Sequence, residues 1–179
     1  PLTIVGLADQ VSSSVATHIL NALGMTFDAS TTGILSVLVF GAGTDYALLL
    51  ISRYRDELKR YEDRREAMAV AWRRTAETVT SSAATVFVGL LSIVLSAFPA
   101  TRGLGLACAI GVVVAATFVM VALPAAMVCF GRWIFWPRIP RVIAEGAPTK
   151  VSMWRRVGDA VAKRPAVYAA ATVVLLALA

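Results

Sequence analysis

Three stretches of this chain are long and nearly bare of charge, and they decide its fold class. Thr78–Pro99 and Gly103–Gly131 contain no Asp, Glu, Lys or Arg, and Ala29–Ser52 contains only Asp45. A helix crossing the hydrocarbon of a bilayer needs about 20 consecutive apolar residues. A soluble domain of 179 residues would not leave such runs bare, and only 16% of this chain is charged against about 25% in ordinary soluble domains. The expected fold is all-α: a polytopic transmembrane helical bundle.

The net charge of +6 could suggest nucleic acid, but its distribution argues for lipid. Eight Lys/Arg lie between Arg53 and Arg74, eight between Arg132 and Arg164, and Arg102 stands alone. Basic segments alternating with bare ones are the positive-inside pattern. It places loops 53–77 and 132–164 on the cytoplasmic side, and 27–32 and 99–102 outside. Basic loops beside membrane spans meet anionic headgroups, so membrane lipids are expected partners and nucleic acid is not.

The expected spans are residues 1–23, 33–53, 78–98 and 103–130, forming a bundle over 1–131 with a cytoplasmic helix at 56–77. The first is the least apolar: Asp9, Gln10 and His18 interrupt it and would face other helices rather than lipid. His18 is a packed or headgroup-level histidine, or else a ligand or proton-relay group. Segment 56–77 mixes charge signs, with Leu58, Tyr61, Met68, Trp72 and Ala76 near helical spacing, which gives it one apolar stripe. The third span carries Thr80, Ser81, Ser82, Thr85, Ser92 and Ser96, whose hydroxyls either join helices or line a polar site. Gly103, Gly105 and Gly111 allow close helix approach in the fourth span, and Pro124 permits a kink. Residues 132–164 form a cytoplasmic interfacial linker ending in an elbow helix, and 165–179 begin a truncated span. Opening on Pro1 and closing in a bare run, the chain reads as an internal piece of a longer protein.

Cys108 and Cys129 lie 21 residues apart, about 30 Å on one helix, too far for a disulfide. No metal spacing, nucleophile–base pair or nucleotide motif is present, so neither an enzyme nor a cofactor is expected.

The chemistry converges on Asp45. A carboxylate near the centre of a spanning helix costs roughly 2.5–3.5 kcal/mol on insertion scales. On a helix Gly41, Asp45, Leu48 and Ser52 share a face, and Gly41, Ala42 and Gly43 have too little bulk to keep a neighbouring helix away. Tyr46 lies about 100° further round. Burial disfavours the charged carboxylate, so such a group can load a proton on one side and release it on the other. One proton crossing 100 mV yields about 2.3 kcal/mol. Two other readings remain open. Asp45 is a neutral acid pinning helices together, or it belongs to a sodium site, which wants several oxygen ligands where Thr44 and Ser52 alone do not suffice.

The stretch Phe40-Gly-Ala-Gly-Thr-Asp-Tyr-Ala-Leu-Leu-Leu-Ile-Ser-Arg-Tyr-Arg-Asp-Glu-Leu58 resembles the fourth transmembrane helix of MMPL transporters, the mycobacterial membrane protein large family of the RND superfamily. Phe135-Trp136-Pro137 also resembles that family. The resemblance implies spans three to six and the start of seven. It implies a proton-motive-force-driven exporter of lipids or other hydrophobic compounds in the bacterial inner membrane. Asp45 and Tyr46 would be the proton-relay pair, the tyrosine hydrogen-bonding the acid, with Thr44 and Ser52 supporting and Gly41 and Gly43 packing closely. Their counterpart pair would lie in a second transmembrane repeat, and substrate would pass through extracytoplasmic domains; that remainder of the transporter is an implied partner. The rival readings are a SecD/SecF-like protein-export component and a membrane scaffold with no transport role.

Overall fold

The computed structural model describes residues 2–25, 28–130, 158–159 and 161–178. The described residues form helices α1 (Leu2–Ala22), α2 (Ala29–Glu57), α3 (Arg64–Ile93), α4 (Pro99–Phe130) and α5 (Pro165–Leu178), with no strand among them. The chain divides into two compact units, 1–143 and 144–179; α1–α4 belong to the first and α5 to the second. Phe135-Trp136-Pro137 and nearly all of the expected 132–164 linker lie outside the described residues; 158–159 and 161–163 are helical.

Helices α2, α3 and α4 are long and apolar enough to cross a membrane. With 29, 30 and 32 residues they are about 44–48 Å long at 1.5 Å per residue, more than the roughly 30 Å of hydrocarbon. They start and stop where backbone chemistry dictates rather than where charge does. The Asp28 carboxylate caps α2 by accepting from the Thr31 N–H at 2.7 Å, so the helix begins four residues before the expected span 33–53. Residues 56–77 do not form a separate helix. α2 runs through Glu57, Asp63 caps α3 by accepting from the Arg65 N–H at 2.8 Å, and α3 continues unbroken through its apolar part to Ile93. No glycine or proline stands between Arg64 and Val88, and a change from charged to apolar side chains is no helix stop. Pro99 opens α4, where its missing N–H is harmless. The Arg102 guanidinium donates to the Ser96 carbonyl at 2.5 Å and closes the α3–α4 hairpin.

Gly24, at φ +66°, ends α1. Its N–H bonds the Asn21 carbonyl at 3.1 Å and the Met25 N–H bonds the Leu20 carbonyl at 2.9 Å. This is the paired closure that needs a left-handed residue, and Met25 packs on the cluster containing Leu20.

α4 is the hub, packing against α1, α2 and α3. Its buried face is built from small residues: Gly103, Gly105, Ala107, Cys108, Gly111, Ala115. A Cβ on Gly105 would stand 2.9 Å from the Leu90 carbonyl oxygen and 2.9 Å from Ile93 Cβ. At Gly111 it would run into Leu35 and Val39 of α2. Further along, Pro124 has no N–H to give the carbonyl four residues back, that of Met120. The Trp72 indole N–H of α3 takes that place, donating to the Met120 carbonyl at 2.8 Å. One proline thus frees the acceptor that a neighbouring helix uses.

Four outcomes follow from this packing. Gly105→Ala should destabilise the protein by about 1–3 kcal/mol because backbone, not a flexible side chain, blocks the new methyl. Gly89→Ala, on α3 with nothing within 4 Å, should not destabilise; thermal unfolding in detergent compares them. Trp72→Phe should cost about 1 kcal/mol by stranding the Met120 carbonyl. Pro124→Ala should recover most of that loss while adding less to the parent, a coupling that a double-mutant cycle reads.

At the start of α2, hydrogen bonds from Thr31, side chain first and backbone N–H second, hold the fully exposed Asp28 carboxyl below its ordinary 3.8. A lowered value means the cap contributes fully above the unfolded-state pKa and is lost as pH falls through the folded one. Amide exchange at Thr31 should therefore accelerate, relative to an interior α2 amide, only under strongly acidic conditions.

Candidate functional site

α2 presents two unlike faces. Leu35, Val39, Gly43, Tyr46, Ala47, Leu50 and Tyr54 recur at three- and four-residue intervals and are buried, turning toward the other helices. On the far side Ile34, Val37, Gly41, Asp45, Leu48 and Ser52 are exposed. Val37 keeps 75% and Leu48 58% of their surface open. The face expected from Gly41, Asp45, Leu48 and Ser52 exists, but none of α1, α3 and α4 covers it. The shielding of Asp45 expected from Gly41-Ala-Gly43 does not come from α1, α3 or α4. Gly43 packs on Val5 of α1, where a Cβ would lie 3.0 Å from Val5 Cγ1, while Gly41 has nothing within 4 Å.

Tyr46 is not beside Asp45. It is 7% exposed and sits in the core cluster with Ala47, Leu50 and Val112, whereas Asp45 points out. Among the described residues no hydrogen bond joins them, because adjacent helical residues project about 100° apart. Thr44 is half-buried. The Ser52 hydroxyl donates to the Leu49 carbonyl of its own helix at 3.2 Å. One turn beyond Asp45 a groove of about 340 Å³ opens along the same face, lined by Leu48, Ile51, Ser52, Arg55, Asp56 and Lys59. Lys59 pairs with Asp56 across it at 2.6 Å. The face thus runs from an apolar section holding one acid to a charged, water-accessible end.

The α3 hydroxyls do not line this site. Thr80, Ser81, Thr85 and Ser92 donate to carbonyls of their own helix at 2.6–2.9 Å. In α1, Gln10 and His18 are exposed, not turned toward other helices as expected; His18 Nδ1 lies 2.7 Å from the Ser14 carbonyl. Asp9 does turn inward and is 9% exposed. Among the described residues no three His, Cys, Asp or Glu gather as metal ligands.

Sequence reasoning missed one ion pair. Arg74 of α3 donates to Glu57 Oε1 at the end of α2 at 2.8 Å, with side chains 52% and 5% exposed respectively. The residues are 17 apart in a stretch dense in both charge signs, so periodicity gives no means of choosing this pair. The pair ties the end of α2 to α3. Arg74→Ala should leave the Glu57 carboxylate buried without its cation and cost about 1–2 kcal/mol, below the 3–5 of a fully buried pair because Arg74 is half in water. Glu57→Gln should cost less, which thermal unfolding of the two variants compares.

The MMPL family profile matches residues 1–168. The chain belongs to the MMPL family. It is 45% identical to putative membrane protein ActII-3 of Streptomyces coelicolor across 100% of its own length and 25% of that protein's. It is 31% identical to the apo-petrobactin exporter of Bacillus anthracis, covering 92% of this chain and 24% of the exporter. To the probable transport protein MmpL10 of Mycobacterium leprae it is 30% identical, over 98% of this chain and 17% of the relative. The chain therefore spans about a quarter or less of these relatives. No solved structure matches it.

Proposed function

We propose that this MMPL chain is the proton-coupling part of a transporter that exports lipids or other hydrophobic compounds across the bacterial inner membrane, powered by the proton-motive force. The observation that carries this reading is the bare outward face of α2: one carboxyl, Asp45, on an otherwise apolar surface that α1, α3 and α4 leave uncovered. A carboxylate is not left against lipid when it can be covered, so this face docks against another part of the complete protein. Gly41, with open space where a side chain would stand, lets that partner come close. The fitting occupant is the second transmembrane repeat that the length of the relatives leaves room for.

Within that interface Asp45 takes up a proton and gives it back, and the charge change alters how tightly the two repeats pack. The groove from Leu48 to Lys59 supplies water from the basic, cytoplasmic side. Tyr46 acts from the core, holding α2 in the rotation that presents Asp45, and Thr44 and Ser52 flank the path. Transport-related relatives, including an exporter, support a transport role over a scaffold; nothing in the chain favours the SecD/SecF-type reading beside the MMPL match.

In the complete protein, Asp45→Asn should abolish proton-driven transport, a loss of at least 100-fold, with normal insertion and expression. Transport at the parent rate would refute the proposal. Asp45→Leu separates the scaffold reading: a helix-pinning acid tolerates it, a proton carrier does not. Tyr46→Phe keeps the packing and should retain a substantial part of the rate.

A further inference from the structure

The basic end of α2 carries charge that the proton path does not use. Arg55 stands ten residues beyond Asp45, about 15 Å along the helix and half the thickness of a bilayer's hydrocarbon. With Asp45 near mid-membrane, Arg55 reaches the headgroups. Leu48, Ser52, Arg55 and Lys59 follow one another at four-, three- and four-residue steps, flanked by Ile51 and Asp56, and line the groove of about 340 Å³. Its two ends differ. Leu48 keeps 58% of its surface open and Ile51 is half-buried, an apolar wall suited to hydrocarbon. At the other end stand two cations and one acid. Lys59 is taken up by Asp56 Oδ1 at 2.6 Å, but Arg55 is exposed and has no hydrogen bond or ion pair among the described residues. The Ser52 hydroxyl gives its proton to the Leu49 carbonyl, so its oxygen offers a lone pair to a donor. Asp56, with its side chain 69% exposed, offers Oδ2 in the same way.

We propose that this groove binds an anionic glycerophospholipid whose head carries free hydroxyls, phosphatidylglycerol being the simplest, from the leaflet on the basic side. The guanidinium fork of Arg55 takes the phosphate oxygens, which it matches in geometry as a lysine does not. One unpaired cation balances the single charge of a phosphodiester, whereas the Asp56 carboxylate repels the second charge of a phosphomonoester. The hydroxyls of the head donate to Ser52 Oγ and Asp56 Oδ2; the choline head of phosphatidylcholine has no O–H or N–H to give. An acyl chain follows Leu48 and Ile51 into the hydrocarbon, at the edge of the face that α1, α3 and α4 leave open. Basic pockets on the cytoplasmic side of membrane spans hold anionic heads in this way. The field of the phosphate gathers protons and water at the mouth of the groove, so the lipid regulates the path to Asp45. That use rests on the proton-coupled reading; the binding does not.

The test uses the complete protein in phosphatidylcholine nanodiscs containing a phosphatidylglycerol with a photoreactive diazirine near the glycerol end of one acyl chain. Peptide mass spectrometry after illumination locates the label. It should fall on the α2 segment from Leu48 to Lys59, and Arg55→Gln should lower it there several-fold. Arg64→Gln removes an equal charge from an exposed residue outside the groove and should not. Unlabelled phosphatidylglycerol should compete, and phosphatidylcholine should not. Equal loss with both variants overturns the proposal, since it leaves only the attraction of the whole basic surface for the bilayer. Equal labelling by a phosphatidylcholine analogue also overturns it, making the contact that of any bilayer lipid. So does displacement by inorganic phosphate, which makes the site one for free phosphate, and so does absence of label from the segment, the groove then being filled by protein. If Arg55→Gln does not insert, Arg55→Lys keeps the charge, loses the fork and should still weaken labelling. In liposomes, replacing phosphatidylglycerol by phosphatidylcholine should slow transport by the parent several-fold and leave Arg55→Gln equally slow in both. Parent transport by Asp45→Asn would refute the proton path while leaving the labelling unaffected, so the two claims fail separately.

Discussion

In hydrocarbon a helix gains little by burying apolar side chains against another helix, because lipid tails are equally apolar. What holds spans together is close packing and the few hydrogen bonds they exchange. That constraint puts α4 in charge of this bundle. Gly105 lets the α3 backbone come within contact distance, and Gly111 seats Leu35 and Val39 of α2. The same helix meets α1 through its run of Ala and Gly.

The polar interactions serve the same end and sit where the backbone or a charge would otherwise be stranded. Pro124 breaks the hydrogen-bond ladder of α4 and Trp72 repairs it from α3, so a local defect becomes an interhelical bond. Glu57 and Arg74 lock the other junction of α3. With the helices packed this way, the Asp45 face of α2 is left pointing away from α1, α3 and α4. The function proposed here depends on that orientation: a carboxyl turned outward by a rigid bundle is a carboxyl offered to a partner.

Much of this was legible beforehand because it follows from one-dimensional quantities. The bare runs located α2, α3 and α4, since span length is set by bilayer thickness. The heptad-like spacing put Gly41, Asp45, Leu48 and Ser52 on one face. Helix limits were less legible. Capping by Asp28 and Asp63 outweighed the charge pattern, so the expected helix at 56–77 merged into α3. Asp45 and Tyr46 exchange no hydrogen bond among the described residues for an angular reason: neighbours in a helix diverge, and Tyr46 is buried while Asp45 is exposed.

The sequence alone determined that this chain is a helical membrane bundle, that α2, α3 and α4 are long and apolar enough to span, and that Asp45 is their exceptional charge, because hydropathy and helical period are properties of the chain read in order. Only the tertiary structure decided which face each helix turns inward. Asp9 is buried while Gln10 and His18 are exposed, Arg74 takes Glu57 from among many acids, and Trp72 finds the carbonyl freed by Pro124. Those outcomes depend on rotation and crossing angle between helices, set by small-residue contacts far apart along the chain, which no local pattern encodes.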